Sequence, residues 1–197
     1  MNQAKPEPCE IAEIIEERPL SGEFDEVLFG SDKGDTLWVK FSDQNGINEW
    51  VGKFGVRGFG TARVIKFEEP DLFIVALRSS AYLVDATNRK LINEYQNDNA
   101  LDITYDDKRK TLLVADHTDL HWVEFGGKRL FNRKISVHGI RELMIEGNIL
   151  SGLGYANYDG EEKRFTFDLD QLKIIGWEKL PSGNPHGGRQ KPRWKFW

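Results

Sequence analysis

The chain has 197 residues, 39% hydrophobic and 30% charged, with a mean hydropathy of −0.54 and a formal net charge of −5. That length supports one well-buried domain, and the acidic balance argues against nucleic acid as the main partner, because phosphate binding is dominated by Lys and Arg. A single cysteine, Cys9, excludes an internal disulfide framework; with no apolar run near the roughly 20 residues of a membrane span and no signal-peptide core, a reducing, cytoplasmic setting away from membranes is expected.

Residues 1–22 read as a lead-in segment, in which IAEII (residues 11–15) is a candidate opening strand in competition with a short helix over residues 8–18. A first unit, residues 23–60, offers VLFG and then the hairpin-like LWVKFSDQNGINEW (37–50), and it ends in the glycine-rich GKFGVRGFG (52–60), where a bend is expected. The second unit, residues 61–99, carries TARVIKF, DLFIVAL and YLVDATNRKLINEY (82–95). In the third, residues 100–139, LDITY, TLLVAD and HWVEFGGKRLFNRK (121–134) follow one another, and in the fourth, residues 140–180, IRELMI, NILSGLGY and TFDLDQLKIIGW (166–177). Short β-branched and aromatic runs bounded by Asp, Asn, Gly and Pro turns are strand signals. Residues 181–197 form a basic, aromatic tail.

The four hairpins align without gaps. An apolar residue (Val39, Val84, Val123, Phe167) precedes a polar one (Lys40, Asp85, Glu124, Asp168), and another apolar residue follows (Phe41, Ala86, Phe125, Leu169). The polar column recurs at spacings of 45, 39 and 44 residues, the period of a propeller blade. Four strands per unit is the content of one blade. The expected fold is therefore all-β: a small propeller-like domain of four repeated four-stranded units, each an antiparallel meander, with Val84, Val123 and Phe167 buried in equivalent places.

YLVDATNRKLINEY resembles the third-to-fourth strand hairpin of quinoprotein-like and YVTN-type β-propeller repeats, in which an aspartate precedes a small turn carrying Thr, Gly or Asn, and Lys. The resemblance covers roughly residues 23–180. It implies a propeller superfold, and since propellers host hydrolases, lyases, lectins and scaffolds, it implies no single activity. The Trp-Asp and Gly-His signatures of the WD40 class and the tryptophan-docking pattern for a quinone are absent, so no cofactor is expected.

Three groups of residues invite functional readings. The column Lys40, Asp85, Glu124 and Asp168 holds carboxylates fit for acid–base work, yet its once-per-unit recurrence points to a structural role, accepting hydrogen bonds from turn N–H groups. The DHTDLH loop brings Asp116, His117, Asp119 and His121 together in sequence, all competent zinc or iron ligands, against the plainer reading of a solvated turn. In the tail, Trp194, Phe196 and Trp197 alternate with Arg193 and Lys195, as an edge strand would whose rings face a surface; the tail is expected to dock on the body or on a partner.

No nucleophile elbow, Cys/His pair or phosphate-binding loop is present. The leading expectation is a non-catalytic module that binds another protein. Small acidic proteins of this kind are similar to bacterial immunity proteins, which implies a basic toxin domain as partner. The alternative is a metal-dependent propeller hydrolase or lyase using His117, His121 and nearby acids.

Overall fold

The computed structural model describes residues 9–30, 35–56, 62–67, 71–158 and 160–180. The described residues form sixteen strands in four four-stranded sheets, with no helix among them. The first sheet holds β1 (Ile11–Ile15), β2 (Asp25–Phe29), β3 (Asp35–Ser42) and β4 (Trp50–Val56). The second holds β5 (Arg63–Lys66), β6 (Leu72–Ala76), β7 (Ser80–Asp85) and β8 (Lys90–Gln96), and the third β9 (Asp102–Asp106), β10 (Thr111–Ala115), β11 (Asp119–Val123) and β12 (Arg129–Lys134). The fourth is built from β13 (Ile140–Glu146), β14 (Ile149–Gly154), β15 (Lys163–Asp168) and β16 (Lys173–Lys179). This is the all-β, four-unit, propeller-like fold that the repeats predict.

Sheets two, three and four are antiparallel meanders in chain order, whereas the first runs β1-β3-β4-β2. The meander expected of the first unit is corrected: β3 pairs directly with β1, and β2 lies on the far side, parallel to β4. Packing accounts for the swap. Ala12 and Ile14 on β1 stand opposite Phe41 and Val39 of β3, while Phe29 at the end of β2 stacks on Phe54 at 5.0 Å and meets the edge of Trp50 at 6.1 Å. IAEII is strand, not helix: all five residues pair with β3, from Ile11 opposite Ser42 to Ile15 opposite Trp38.

The apolar column lies in the core: Val39, Val84, Val123 and Phe167 are all buried. In the second, third and fourth sheets a β-bulge falls at the same repeat position, between Leu83 and Val84, Trp122 and Val123, and Thr166 and Phe167. A bulge adds local twist and bends the strand, so each outer strand is turned in the same way against its neighbour. The apolar residues that follow the turn sit on those outer strands and stay exposed, among them Ile92, Leu130 and Ile175.

Three apolar clusters, not four, are found among the described residues. One joins sheets one and two around Phe41, Phe54, Phe73 and Tyr82, one joins sheets two and three around Ile74, Ile103 and Leu112, and one joins sheets three and four around Leu113, Trp122, Phe165 and Phe167. Four sheets in a closed ring would share four such faces, so the described residues form an open arc. A buried carboxylate ties the inner strands of three sheets. Asp102 of β9 receives both terminal nitrogens of Arg63 on β5 (3.0 and 2.9 Å) and the backbone N–H of Leu143 on β13 (2.8 Å).

Candidate functional site: a groove between the third and fourth sheets

Three of the turns between strands are built by one device. Asp85, Asp106 and Asp168 each accept a hydrogen bond from the backbone N–H three residues on, at Asn88 (2.9 Å), Arg109 (3.1 Å) and Gln171 (2.8 Å). In all three turns the next residue is left-handed: Arg89, Lys110 and Leu172 have φ of 55°, 53° and 52°. Of the polar column, Asp85 and Asp168 thus serve their own turns. Lys40 instead reaches Glu49 at 3.1 Å, and at Glu124 the turn closes through backbone bonds with Gly127 and Lys128.

The DHTDLH loop is a turn of similar make. The Asp116 carboxylate takes the N–H groups of Thr118 and Asp119 at 2.8 and 2.7 Å, and His121 Nε2 lies 2.8 Å from its other oxygen. Burial pushes the Asp116 pKa up, but the His121 contact and the two N–H groups outweigh it and hold the carboxyl below its ordinary value. His117 stacks instead with His138, ring centroids 6.1 Å apart, and Asp119 binds the Thr118 hydroxyl. The structure thus brings Asp116 and His121 side chains together and sends those of His117 and Asp119 to other partners. Among the described residues no three His, Cys, Asp or Glu side chains converge as a metal site. Arg193, Trp194, Phe196 and Trp197 lie outside the described residues.

His121 Nδ1 is buried without a partner among the described residues, but two such atoms share one cavity elsewhere. At the rim between sheets three and four is a groove of about 380 Å³. Its buried floor is Thr111 of β10, Trp122 of β11 and Leu169 after β15. Leu130 and Phe131 of β12 and Leu172 of the β15–β16 turn form an exposed apolar lip, with Leu130 47% and Phe131 37% exposed. Arg109 and Asp170 stand at the groove, ion-paired to each other, with Arg109 also 2.6 Å from Asp106.

Two polar atoms of that floor, Trp122 Nε1 and Thr111 Oγ1, are buried and have no hydrogen-bond partner among the described residues. An unmet buried polar group costs about 1–3 kcal/mol, so such pairs are rare unless something else completes them. The Trp122 indole offers a donor and the Thr111 hydroxyl both a donor and an acceptor. Sequence reasoning missed this groove, although one signal pointed to it: KRLFNRK (residues 128–134) sets Leu130 and Phe131 among four bases in an acidic chain.

A second, smaller pocket of about 90 Å³ at the rim between sheets one and two involves Cys9, Asp43, Thr87 and Arg89. Its polar groups are engaged. Thr87 Oγ1 accepts the Cys9 N–H at 2.9 Å, Asp43 takes the N–H groups of Asn45, Ile47 and Asn48, and Arg89 pairs with Asp25 at 2.8 Å.

No family model and no curated protein matches the sequence. Among solved structures the chain is similar to Kuenenia stuttgartiensis hydrazine synthase, at 17% identity over 80% of this chain and 49% of that one, with a TM-score of 0.54. It is also similar to a protein of unknown function from Bacteroides caccae, at 14% identity over 83% of this chain and 64% of the other, TM-score 0.50. The Neurospora crassa Pan2 WD40 domain matches at 12% identity, 75% of this chain and 49% of that chain, TM-score 0.47. The chain thus spans about half the length of the hydrazine synthase and Pan2 chains. At these identities the likeness is one of fold alone, with nothing in it that bears on a toxin-immunity role, and the four successive four-stranded sheets themselves make this a β-propeller-like chain of four units.

Proposed function

We propose that the protein is a non-catalytic module that binds another protein through the groove between sheets three and four. The observation that carries this reading is the floor of the groove, where Trp122 Nε1 and Thr111 Oγ1 are buried without partners beneath an exposed lip of Leu130, Phe131 and Leu172. A partner segment that brings an acceptor to the indole and apolar atoms to the lip gains both hydrogen bonding and burial. The catalytic alternative has no comparable support, since His117 and His121 point into different contacts. Neutralising a toxin domain is one form such binding takes, and the acidity and size of the chain are what support it.

A photo-crosslinking amino acid placed at Leu130, compared with the same group at the exposed Ile47 of the first sheet, tests the reading in the native host. Crosslinking of one stoichiometric protein from position 130 alone, abolished by Leu172→Asp, is the expected result. Equal yields from both positions would remove the groove from consideration.

A further inference from the structure

Resting on that reading, the charge and edge geometry of β12 point to the kind of segment the groove takes: we infer that it is an extended acidic stretch of the partner, added to β12 as a fifth strand of the third sheet. β12 is the outer strand of its sheet and pairs only with β11 among the described strands. All six of its residues are exposed. Its free edge therefore presents a row of backbone donors and acceptors, the template used in strand addition, where main-chain bonds supply affinity and alternate side chains supply specificity.

Charge sets β12 apart from the other outer strands. β2 carries Asp25 and Glu26, β8 balances Lys90 with Glu94, and β16 sets Glu178 between Lys173 and Lys179. Residues 128–134 hold Lys128, Arg129, Arg133 and Lys134 with no acid. Lys128 lies 3.7 Å from Glu124, and no ion pair among the described residues engages Arg129, Arg133 or Lys134. On a chain of net charge −5, three exposed cations outside any ion pair among the described residues are a local reversal of sign. Charge on an edge strand also guards against self-pairing, but mixed charges serve that end on β8 and β16, and protection of an edge does not account for the bare Trp122 and Thr111 atoms beside it.

The register links the two features. Phe131 stands opposite Trp122, with rings 5.1 Å apart, and Arg133 stands opposite Leu120 on the same face, while Lys134 is opposite Asp119 on the other. A strand laid along β12 thus meets an apolar position at Phe131, over the groove, and a cation two residues away at Arg133. The matching segment alternates large apolar residues with Asp or Glu, and an acceptor oxygen beside its apolar residue completes the Trp122 indole N–H. The acidic body of the protein favours a basic partner elsewhere on its surface; the groove has the opposite preference.

Selection of a displayed library of random peptides of about ten residues on the full chain tests the inference. The expected winners are acidic, alternate apolar and carboxylate residues, lose affinity roughly tenfold or more against Arg129→Glu, Arg133→Glu, Lys134→Glu together, and weaken with salt. Arg133→Gln with Lys134→Gln, which only removes charge, should give a smaller loss in the same direction, and hydrogen exchange with a winning peptide bound should slow at residues 129–134. Winners that are neutral or basic, or that leave exchange in β12 unchanged, overturn the acidic strand. If such peptides are still lost on Leu130→Asp with Leu172→Asp, the groove reading survives the failure; if binding persists in every variant, both fail.

Discussion

The two rims of this arc that carry cavities, between sheets one and two and between sheets three and four, are built from the same kind of repeat and finished differently. At the first, Trp50 lies flat on Phe41 at 4.4 Å, and the surrounding polar groups, Thr87, Asp43 and Arg89, all have partners. At the second, the equivalent space is about four times larger, Phe131 and Leu130 stay exposed, and two buried polar atoms go unmatched. The lead-in strand makes much of the difference. Cys9, just ahead of β1, donates its N–H to Thr87 in sheet two, so the first rim has chain to spare for completing its bonds, whereas among the described residues nothing covers the second.

The contrast breaks if the two rims respond alike to mutation, and truncating the rings is the most severe test. Trp50→Ala should cost about 3–5 kcal/mol, because the ring is 2% exposed and packed on Phe41 and Phe29, and Phe131→Ala about 1 kcal/mol or less; urea denaturation of the two variants measures both. Similar losses would mean that the second rim is ordinary core.

A threonine pair sharpens the comparison at the level of one hydroxyl. Thr111→Val removes an unpartnered buried oxygen and should stabilise by about 1 kcal/mol, raising the melting temperature, whereas Thr87→Val strips the acceptor from the Cys9 N–H and should destabilise by a similar amount. Calorimetry showing the same sign for both would mean that Thr111 has a partner in solution.

Acid should act through two turn carboxylates, one at the first rim and one at the end of the third sheet away from the groove. Asp43 at the first is held low by the N–H of Ile47 and by Asn48 and Asn45, and Asp116, one strand-length from Trp122, is held low by His121 and two N–H groups despite its burial. A carboxyl lowered in the folded state lends stability that is full above its unfolded pKa and is lost as pH falls through the folded value. Melting temperature should therefore drop below the ordinary carboxylate value near 3.8, and Asp116→Asn should flatten that limb while lowering stability at neutral pH. The smallest effect concerns the thiol of the first rim. Burial pushes the Cys9 pKa up to about 11, so at neutral pH a thiol reagent should react with the native protein far more slowly than with the unfolded chain, and rapid native labelling would show that this rim opens.

Much of this was legible in the residues, for identifiable reasons. Burial imposes period two on a strand and repetition imposes it again on each unit, so Val84, Val123 and Phe167 declared themselves by position. The path of β2 did not, since DEVLF fits either side of the first hairpin and only the rings of Trp50 and Phe54 decide between them. Asp116 and Asp119 beside two histidines have the composition of a metal loop, but an aspartate at the start of a tight turn is claimed by nearby N–H groups, as Asp85, Asp106 and Asp168 also are. The groove was illegible because Leu172 and Phe131 belong to different repeats, and because an unpaired indole is defined by what does not stand next to it.

Asp102 bears on how such a chain can change length over generations. Its carboxylate joins Arg63, in the second repeat, to Leu143, in the fourth. Copying or losing a unit at the N-terminal end leaves that three-way bond intact. Inserting a unit between the third and fourth would part Asp102 from the Leu143 N–H, so the last three units are coupled through one carboxylate in which the first has no share.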